Sequence, residues 1–195
     1  MALGKQAKTL TEKQISAALN SVNDGRYPLR DRVMILLSVK AGLRAKEISC
    51  LTWGMVTDAE GRISECLRLV NNASKGKSGG REVPMHKELR AALIALKGKH
   101  THDPDDNVIT SERGDKMRAA SVVNWFKNLY DELGFNGCTS HSGRRTFITN
   151  VARRVSQVGA SLRDVQQMAG HSNLNTTQRY IEGDSEAKRK LINLI

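Results

Sequence analysis

Apolar residues recur every three or four positions over most of the chain, which is the period of a helix with one buried face. The first such run begins at a capping box made by Thr11 and Gln14. Pro28 opens a second, mostly apolar helix, and Gly42 terminates it. A third helix starts within two residues of that glycine. The sequence therefore predicts that Arg44 lies at a corner between two helices.

The pattern changes in the middle of the chain to short segments typical of β-structure. Residues 66–70 and 81–85 alternate in polarity and flank a connection rich in Gly, Ser and Asn. The combination predicts an antiparallel hairpin, with Lys75 and Lys77 near its tip.

Helical periodicity returns after the hairpin. The further predicted helices cover residues 86–97, 119–133, 141–155, 162–169, 175–181 and 185–194. In the helix over 119–133, the predicted inward positions are Val122, Val123, Phe126 and Leu129. The whole pattern predicts an α+β fold that is mainly α, a helical domain holding one small antiparallel sheet.

Two polar features could be mistaken for metal or redox sites. Residues 99–106 combine histidine with aspartate, but no helix or strand would fix the ligand geometry, so we expect a solvated loop. Cys50, Cys66 and Cys138 are odd in number and widely spaced. We expect reduced thiols, with no disulfide, no metal site and no cofactor.

The charge of the chain narrows the choice of partner. Its 195 residues suit one domain, and 31 Lys and Arg against 20 Asp and Glu give a formal net charge of +11. Such a chain attracts a polyanion, by default a nucleic acid. Aromatic residues are only 4% of the chain, too few for a single-strand stacking platform, so duplex DNA fits better. No apolar run predicts a membrane span or a signal peptide, and we expect a cytoplasmic, nucleoid-associated protein without a membrane partner.

Two pairs of residues are candidates for chemistry. His141 and Arg144 open a helix at i,i+3 spacing, which puts both on one face, as an oxyanion or phosphate site requires. The alternative is a surface arginine beside a capping histidine. His171 and Tyr180 lie in a polar, turn-rich segment that looks poorly suited to a core. Taken alone, the second pair is more often structural than catalytic.

These elements follow one another in a distinctive order: Gly42 to Glu47, the hairpin lysine, His141-x-x-Arg144, Gly170-His171 and Tyr180. The set resembles the catalytic domain of the tyrosine recombinases, the phage integrase family, from about Thr9 to the C-terminus. The resulting division is a basic lead over residues 1–8, a catalytic domain over 9–182 and a C-terminal helix or tail over 183–195.

The resemblance implies how a DNA phosphate would be held. Arg44 and Arg144 would grip the scissile phosphate, and His171 would donate to its non-bridging oxygens. His141 would sit beside them as a proton-transfer and hydrogen-bonding group. Glu47 would orient Arg44, although a surface i,i+3 pair explains that spacing nearly as well.

The resemblance also implies the reaction. Tyr180 would attack phosphorus, release a DNA 5′-hydroxyl and leave a 3′-phosphotyrosyl link. Lys75 would protonate the leaving oxygen, because Lys75-Gly76 resembles the family's Lys-Gly, and Lys77 stays open because the turn is of atypical length. A phenol with a pKa of about 10 needs a base or a cationic pocket to lose its proton. Arg and His donors would stabilise the transition state and the covalent link would retain the phosphodiester's energy, so neither metal nor ATP is expected.

Some alternatives stay open at this point. A type IB topoisomerase has the same chemistry, and a DNA-binding regulator that kept the fold would lack it. Family members commonly carry a further core-binding domain of about a hundred residues, so the chain is either a fragment or a short member.

Gly143 and Ala169 stand where leucine is usual in the family. We expect a monomer that forms a homo-tetramer on DNA, with the apolar C-terminal end docked on a neighbouring protomer or packed on its own domain.

Overall fold

The computed structural model describes residues 7–70, 80–114, 116–182 and 192–193. Its α-helices are α1 Glu12–Ser21, α2 Pro28–Ala41, α3 Ala45–Ser49, α4 Lys87–Lys97, α5 Ala119–Glu132, α6 Ser142–Ala152, α7 Leu162–Ala169 and α8 Leu174–Glu182. The strands are β1 Cys66–Leu69 and β2 Arg81–Pro84, and 3₁₀ turns cover Trp53–Met55 and Val155–Gln157. The mainly helical α+β prediction is confirmed. None of the helices in these ranges is long and apolar enough to span a membrane.

The chain divides into two compact units, Met1–Phe147 and Ile148–Ile195, and the boundary falls inside α6. The first unit contains α1 to α5, the two strands and the start of α6. The second contains the end of α6 with α7 and α8. The three-part division predicted from the sequence differs from this one and stays a proposal, since much of residues 1–8 and 183–195 lies outside the described ranges.

Helix α2 forms the centre of the first unit. Every residue from Val33 to Val39 is buried, because the helix packs against α1, α3 and α4. A helix that is apolar on all sides is stable only when neighbours cover all of them. The helix begins at Pro28, and α1 begins at the predicted capping box of Thr11 and Gln14.

The turn after α2 is set by Gly42. This glycine has φ 65°, a left-handed conformation, and the N–H of Leu43 donates to the carbonyl of Leu37 at 3.0 Å. The pairing closes the open carbonyl end of α2 and turns the chain sharply. Arg44 follows as the residue that caps α3, so the predicted corner between two helices is confirmed.

The hairpin is antiparallel, as predicted. Leu67 pairs with Val83, and Leu69 pairs with Arg81, so both strands turn apolar side chains towards the core. The predicted tip, including Lys75 and Lys77, lies outside the described residues.

Two sequence-based expectations for the first unit are wrong in part. Val123 is 41% exposed, whereas Tyr130 is buried, because the inward stripe of α5 runs through Val122, Phe126, Leu129 and Tyr130. Val123 lies about 100° around the helix from Val122. The loop over 99–106 is exposed, as expected, except at the half-buried His102. His102 stacks on Trp53 with ring centroids 4.4 Å apart.

Helices α7 and α8 pack against each other in the second unit. Ser161 and Asp164 form a capping box at the start of α7, and Gly170, with φ 63°, ends it. Val165 and Ala169 are buried. The prediction of a helix over 162–169 is confirmed, as is the short helix before the C-terminus, which α8 provides. The predicted last helix over 185–194 lies almost entirely outside the described residues.

Gly42→Ala is expected to destabilise the protein more than Gly61→Ala. Both glycines have positive φ, 65° and 73°, so alanine is strained at each by about 1 kcal/mol. A Cβ at Gly61 meets no atom within 4 Å, whereas one at Gly42 overlaps the ring of Phe147. Overpacking therefore adds about 1–3 kcal/mol at Gly42 alone. Urea unfolding measures both losses, and equal losses would contradict the steric explanation.

Candidate active site

Arg44 is held at the corner by a buried carboxylate. The backbone N–H of Arg44 donates to Glu47 Oε2 at 2.8 Å, and its Nη1 donates to Glu47 Oε1 at 3.0 Å. The Glu47 side chain is 1% exposed, and that of Arg44 is 30% exposed. Glu47 therefore caps α3 and orients the arginine, so the pair is more than a surface i,i+3 contact.

A second guanidinium binds the same carboxylate. Arg81, the first residue of β2, donates from Nη1 to Glu47 Oε1 at 2.7 Å and from Nη2 to Oε2 at 3.0 Å. Such a bidentate pair is the strongest common form of ion pair between side chains. Burial raises the pKa of the Glu47 carboxyl, but the hydrogen bonds and charges of Arg81 and Arg44 outweigh that effect, so its pKa lies below the ordinary value.

Arg144 is anchored at the same corner. This residue of α6 is buried, and its Nη1 donates to the carbonyl of Gly42 at 2.6 Å. The adjacent Gly143 lies directly against Ser38 of α2, where a Cβ would overlap the serine side chain. The close approach of α6 to α2 therefore requires glycine at this position, where the sequence departs from the usual leucine. The structure brings Arg44 and Arg144 to one turn of the chain.

His141 immediately precedes α6 and is exposed. Hydroxyl groups bind the backbone around it: the N–H of His141 donates to Thr139 Oγ1 at 3.2 Å, and that of Thr139 donates to Ser142 Oγ at 2.9 Å. Its carbonyl accepts from the N–H of Arg145 at 2.9 Å, so the backbone of His141 occupies the N-cap position of α6. The alternative in which the imidazole caps the helix gains no support from these bonds.

His171 and Tyr180 lie side by side in the second unit. Their rings are stacked, with centroids 5.6 Å apart and planes inclined by 21°. The main chain of His171 is fixed to α7, because its N–H donates to Gln166 O at 3.1 Å and its carbonyl accepts from Gln166 Nε2 at 3.0 Å. Tyr180 is half-buried and lies on α8. The structure thus brings together the histidine and the tyrosine that the sequence separates by nine positions.

Thr177 fixes the imidazole of His171. Its buried hydroxyl is hydrogen-bonded to His171 Nδ1 at 2.9 Å, from a position one helical turn before Tyr180. A neutral imidazole that accepts this hydroxyl at Nδ1 carries its own proton on Nε2, which is then a donor. The histidine is therefore positioned by the same helix that carries the tyrosine.

Sequence reasoning missed two residues of these clusters, Arg81 and Thr177. The alternation of β2 puts Arg81 on the same face as buried Val83, and an arginine on an inward face of a strand is a signal for a buried partner. Thr177 shares a helix face with Tyr180 at i,i+3 spacing. The polar, turn-rich sequence around it predicts a segment poorly suited to a core, whereas Thr177 is fully buried.

The structure divides the predicted site residues between the two units. Arg44, His141 and Arg144 belong to the first, and His171 and Tyr180 belong to the second. Lys75 is outside the described residues. The first unit holds two anchored arginines, which suit an anion such as phosphate, and the second holds a tyrosine beside a positioned histidine. Each unit by itself thus carries residue types that are typical of a class of enzymes that act on phosphate esters.

Comparison with known proteins identifies the family. The Phage integrase family profile matches residues 8–187. The chain is 31% identical to the tyrosine recombinase XerD of Neisseria meningitidis, over 88% of this chain and 57% of the relative. It is 32% identical to XerD of Ralstonia nicotianae, over 94% of this chain and 58% of the relative. The chain belongs to the phage integrase family, and it spans less than two thirds of the length of these relatives.

Solved structures share the fold. The crystal structure of XerA recombinase superposes with a TM-score of 0.72 at 22% identity, covering 95% of this chain and 64% of that chain. The Tn1549 transposon integrase in complex with transposon right end DNA gives 0.72 at 22% identity, over 98% of this chain and 67% of that one. The catalytic domain of bacteriophage HP1 integrase gives 0.65 at 18% identity, covering 96% of this chain and 95% of that chain.

Glu47→Gln is expected to lower the free energy of unfolding at pH 7 by about 3 kcal/mol, because it leaves two guanidinium groups without their buried carboxylate. The native pKa of Glu47 lies below its ordinary value, so its contribution is complete above the unfolded-state pKa of about 4.3. That contribution is lost as the pH falls through the native pKa. The difference between wild type and Glu47→Gln should therefore narrow as the pH is lowered from 5 towards 3, as measured by urea unfolding.

Glu82→Gln is the matched control for this measurement. Glu82 pairs with Arg68 at 3.2 Å across the hairpin, and both side chains are well exposed, 65% and 61%. An exposed pair contributes little, so the control should stay within about 0.5 kcal/mol of wild type throughout. A Glu47→Gln deficit that is as large at pH 3 as at pH 7 would rule out the ionised carboxylate as its source.

Proposed function

We propose that this chain is the catalytic domain of a site-specific DNA recombinase that cleaves and rejoins duplex DNA through a 3′-phosphotyrosyl intermediate. The observation that carries the proposal is the pairing of Tyr180 with His171, whose imidazole is fixed by Thr177. Membership of the phage integrase family supports it, as do relatives named tyrosine recombinases. The net charge of +11 suits a polyanionic substrate.

Arg44, Arg144 and His171 bind the scissile phosphate in this proposal. The phosphoryl transition state carries negative charge on its equatorial oxygens, and donors that are already fixed stabilise it without reorganisation. Both arginines are held in place by hydrogen bonds, Arg44 to Glu47 and Arg144 to the Gly42 carbonyl. The described contacts of Arg44 use its backbone N–H and Nη1, which leaves Nε and Nη2 to face a phosphate oxygen.

Bond making and breaking occur at one phosphorus atom. The Oη of Tyr180 forms a bond to phosphorus while the bond from phosphorus to the DNA 5′-oxygen breaks. His141 takes the phenolic proton, and Lys75 or Lys77 gives a proton to the leaving oxygen. Attack of a 5′-hydroxyl on the phosphotyrosyl link reverses these transfers and rejoins the strand. The energy of the phosphodiester is kept in the link, so no ATP is consumed.

The partners of the whole protein follow from the same reaction. Duplex DNA is the substrate, and exchange between two duplexes needs four strand cleavages, which suits a homo-tetramer on DNA built from monomers. The catalytic domain would cover residues 9–182, and the segment over 183–195 would dock on a neighbouring protomer. The structure of a Tn1549 integrase complex with DNA supports a DNA partner for this fold.

Tyr180→Phe should abolish a covalent protein–DNA adduct on duplex DNA that carries a nick beside the cleavage position. The nick lets the short 5′-product diffuse away, so cleaved complexes accumulate and migrate slowly in a denaturing gel. Tyr27→Phe is the control, because it also removes one phenolic hydroxyl, from a ring that packs against Arg30 instead. Wild type and this control should form the adduct in EDTA and without ATP.

Three results would contradict this proposal, each in a different part. An adduct that persists in Tyr180→Phe would exclude Tyr180 as the nucleophile. No adduct with wild type on any duplex would favour a DNA-binding regulator that lacks the chemistry. Relaxation of supercoiled DNA without strand exchange would instead indicate a topoisomerase.

The choice between Lys75 and Lys77 can be made with a substrate whose 5′-bridging oxygen is replaced by sulfur. A thiol has a pKa of about 8.5, far below that of an alcohol, so a thiolate leaves without a general acid. Replacing the true general acid by alanine should slow cleavage of ordinary DNA by about 100-fold and leave the sulfur substrate nearly unaffected. We expect this behaviour for Lys75→Ala, with Lys77→Ala as its control. Rescue of Lys77→Ala alone would reverse the assignment.

A further inference from the structure

Arg81 is the part of the Glu47 cluster that the proposed reaction does not use. Its two Nη atoms hold the two oxygens of Glu47 at 2.7 and 3.0 Å, whereas the side chain of Arg44 reaches only Oε1, at 3.0 Å. The side chain of Arg81 is 10% exposed, a third of the value for Arg44. Arg81 is therefore turned towards the carboxylate, and Arg44 is the more accessible of the two guanidinium groups.

Arg81 also changes the net charge of the cluster. Glu47 and Arg44 alone would form a neutral pair, in which the carboxylate orients the arginine but also cancels its charge towards a phosphate. With Arg81 present, the cluster carries one net positive charge. Hydrogen bonding and charge from Arg81 also precede those of Arg44 among the influences that lower the pKa of Glu47. The carboxylate is thus satisfied chiefly by Arg81.

The position of Arg81 in the chain ties the cluster to the hairpin. Arg81 begins β2 and pairs with Leu69 at the end of β1, where the two strands enter the connection that carries Lys75. Glu47 belongs to α3, thirty-four positions earlier. The ion pair therefore joins the start of β2 to the helix corner at which Arg44 lies.

We propose that Arg81 is a positioning residue for Arg44, which acts through Glu47 by compensating its charge and holding its carboxylate in place. The inference rests on the proposed function, because Arg44 is the phosphate-binding group in that reaction. Arg81 itself does not touch the DNA phosphate. Its loss leaves Arg44 alone to neutralise the carboxylate, so less positive charge faces the transition state and Arg44 stabilises it less.

A double-mutant cycle on the cleavage rate tests this role, with the nicked duplex as substrate. Arg81→Met should slow adduct formation at saturating DNA by about tenfold or more. The DNA concentration that gives half of the maximal rate should change by a smaller factor. In a Glu47→Gln background, which has no carboxylate charge to compensate, the same change should cost less than about threefold. Arg81→Lys keeps the charge but loses the bidentate geometry, and it should recover part of the rate.

A substrate with a methylphosphonate at the scissile position separates positioning from a merely structural role. The methyl group removes the negative charge of one non-bridging oxygen, so an intact charge on Arg44 matters less. The factor by which Arg81→Met slows adduct formation should be smaller on this substrate than on ordinary DNA. A folding defect would slow both substrates equally, and urea unfolding of each variant measures the folded fraction directly.

The exposed pair of Arg68 and Glu82 provides the matched control. It joins the two strands of the hairpin to which Arg81 belongs, and the same types of change, Arg68→Met and Glu82→Gln, remove the same charges. No coupling between them is expected in the cleavage rate. If the wild-type chain forms the adduct, but Arg81→Met slows adduct formation equally with and without the Glu47→Gln change, the inference is overturned and the proposed function is not. A wild-type chain without an adduct would overturn the proposed function and the inference together.

Discussion

A buried carboxylate must be paired, and in this chain that requirement organises the first unit around Glu47. Its two oxygens accept from the backbone of Arg44, from the Arg44 side chain and from both Nη atoms of Arg81. One acidic residue thereby starts α3, orients an arginine at a helix corner and joins β2 to that corner. Because a charge removed from water needs all of these partners at once, the arrangement is fixed more tightly than a surface ion pair would be.

The corner itself depends on backbone geometry. Gly42 ends α2 in a left-handed conformation, and its carbonyl accepts a hydrogen bond from Arg144. Gly143 allows α6 to lie directly against Ser38 of α2. Two glycines therefore bring a second arginine to the turn that carries the first. In the second unit, Thr177 performs a comparable task for His171, with Tyr180 one helical turn further along α8.

Much of the fold follows from short-range signals in the sequence. The capping box at Thr11, the proline that starts α2 and the glycine that ends it act within a few residues of where they occur. The hairpin follows from alternation over two short segments. The corner at Arg44 was predictable for the same reason. The ordered set from Arg44 to Tyr180 indicates the family without reference to any contact between distant residues.

Tertiary structure determined how those residues are held. Nothing near Arg81 in the sequence indicates that its partner lies on α3, because that ion pair depends on how the hairpin packs against the helices. Thr177 lies in a segment whose polar sequence predicts exposure. Its hydroxyl nevertheless has a partner in His171, and a satisfied polar group can be buried at little cost. The sequence by itself determined most helix ends of the described residues, although α6 ends at Ala152 instead of residue 155. It also determined the hairpin, the family and the candidate residues, since each depends on local pattern or on order along the chain. Only the folded chain determined which groups orient Arg44 and His171, because those contacts join positions that local pattern does not relate.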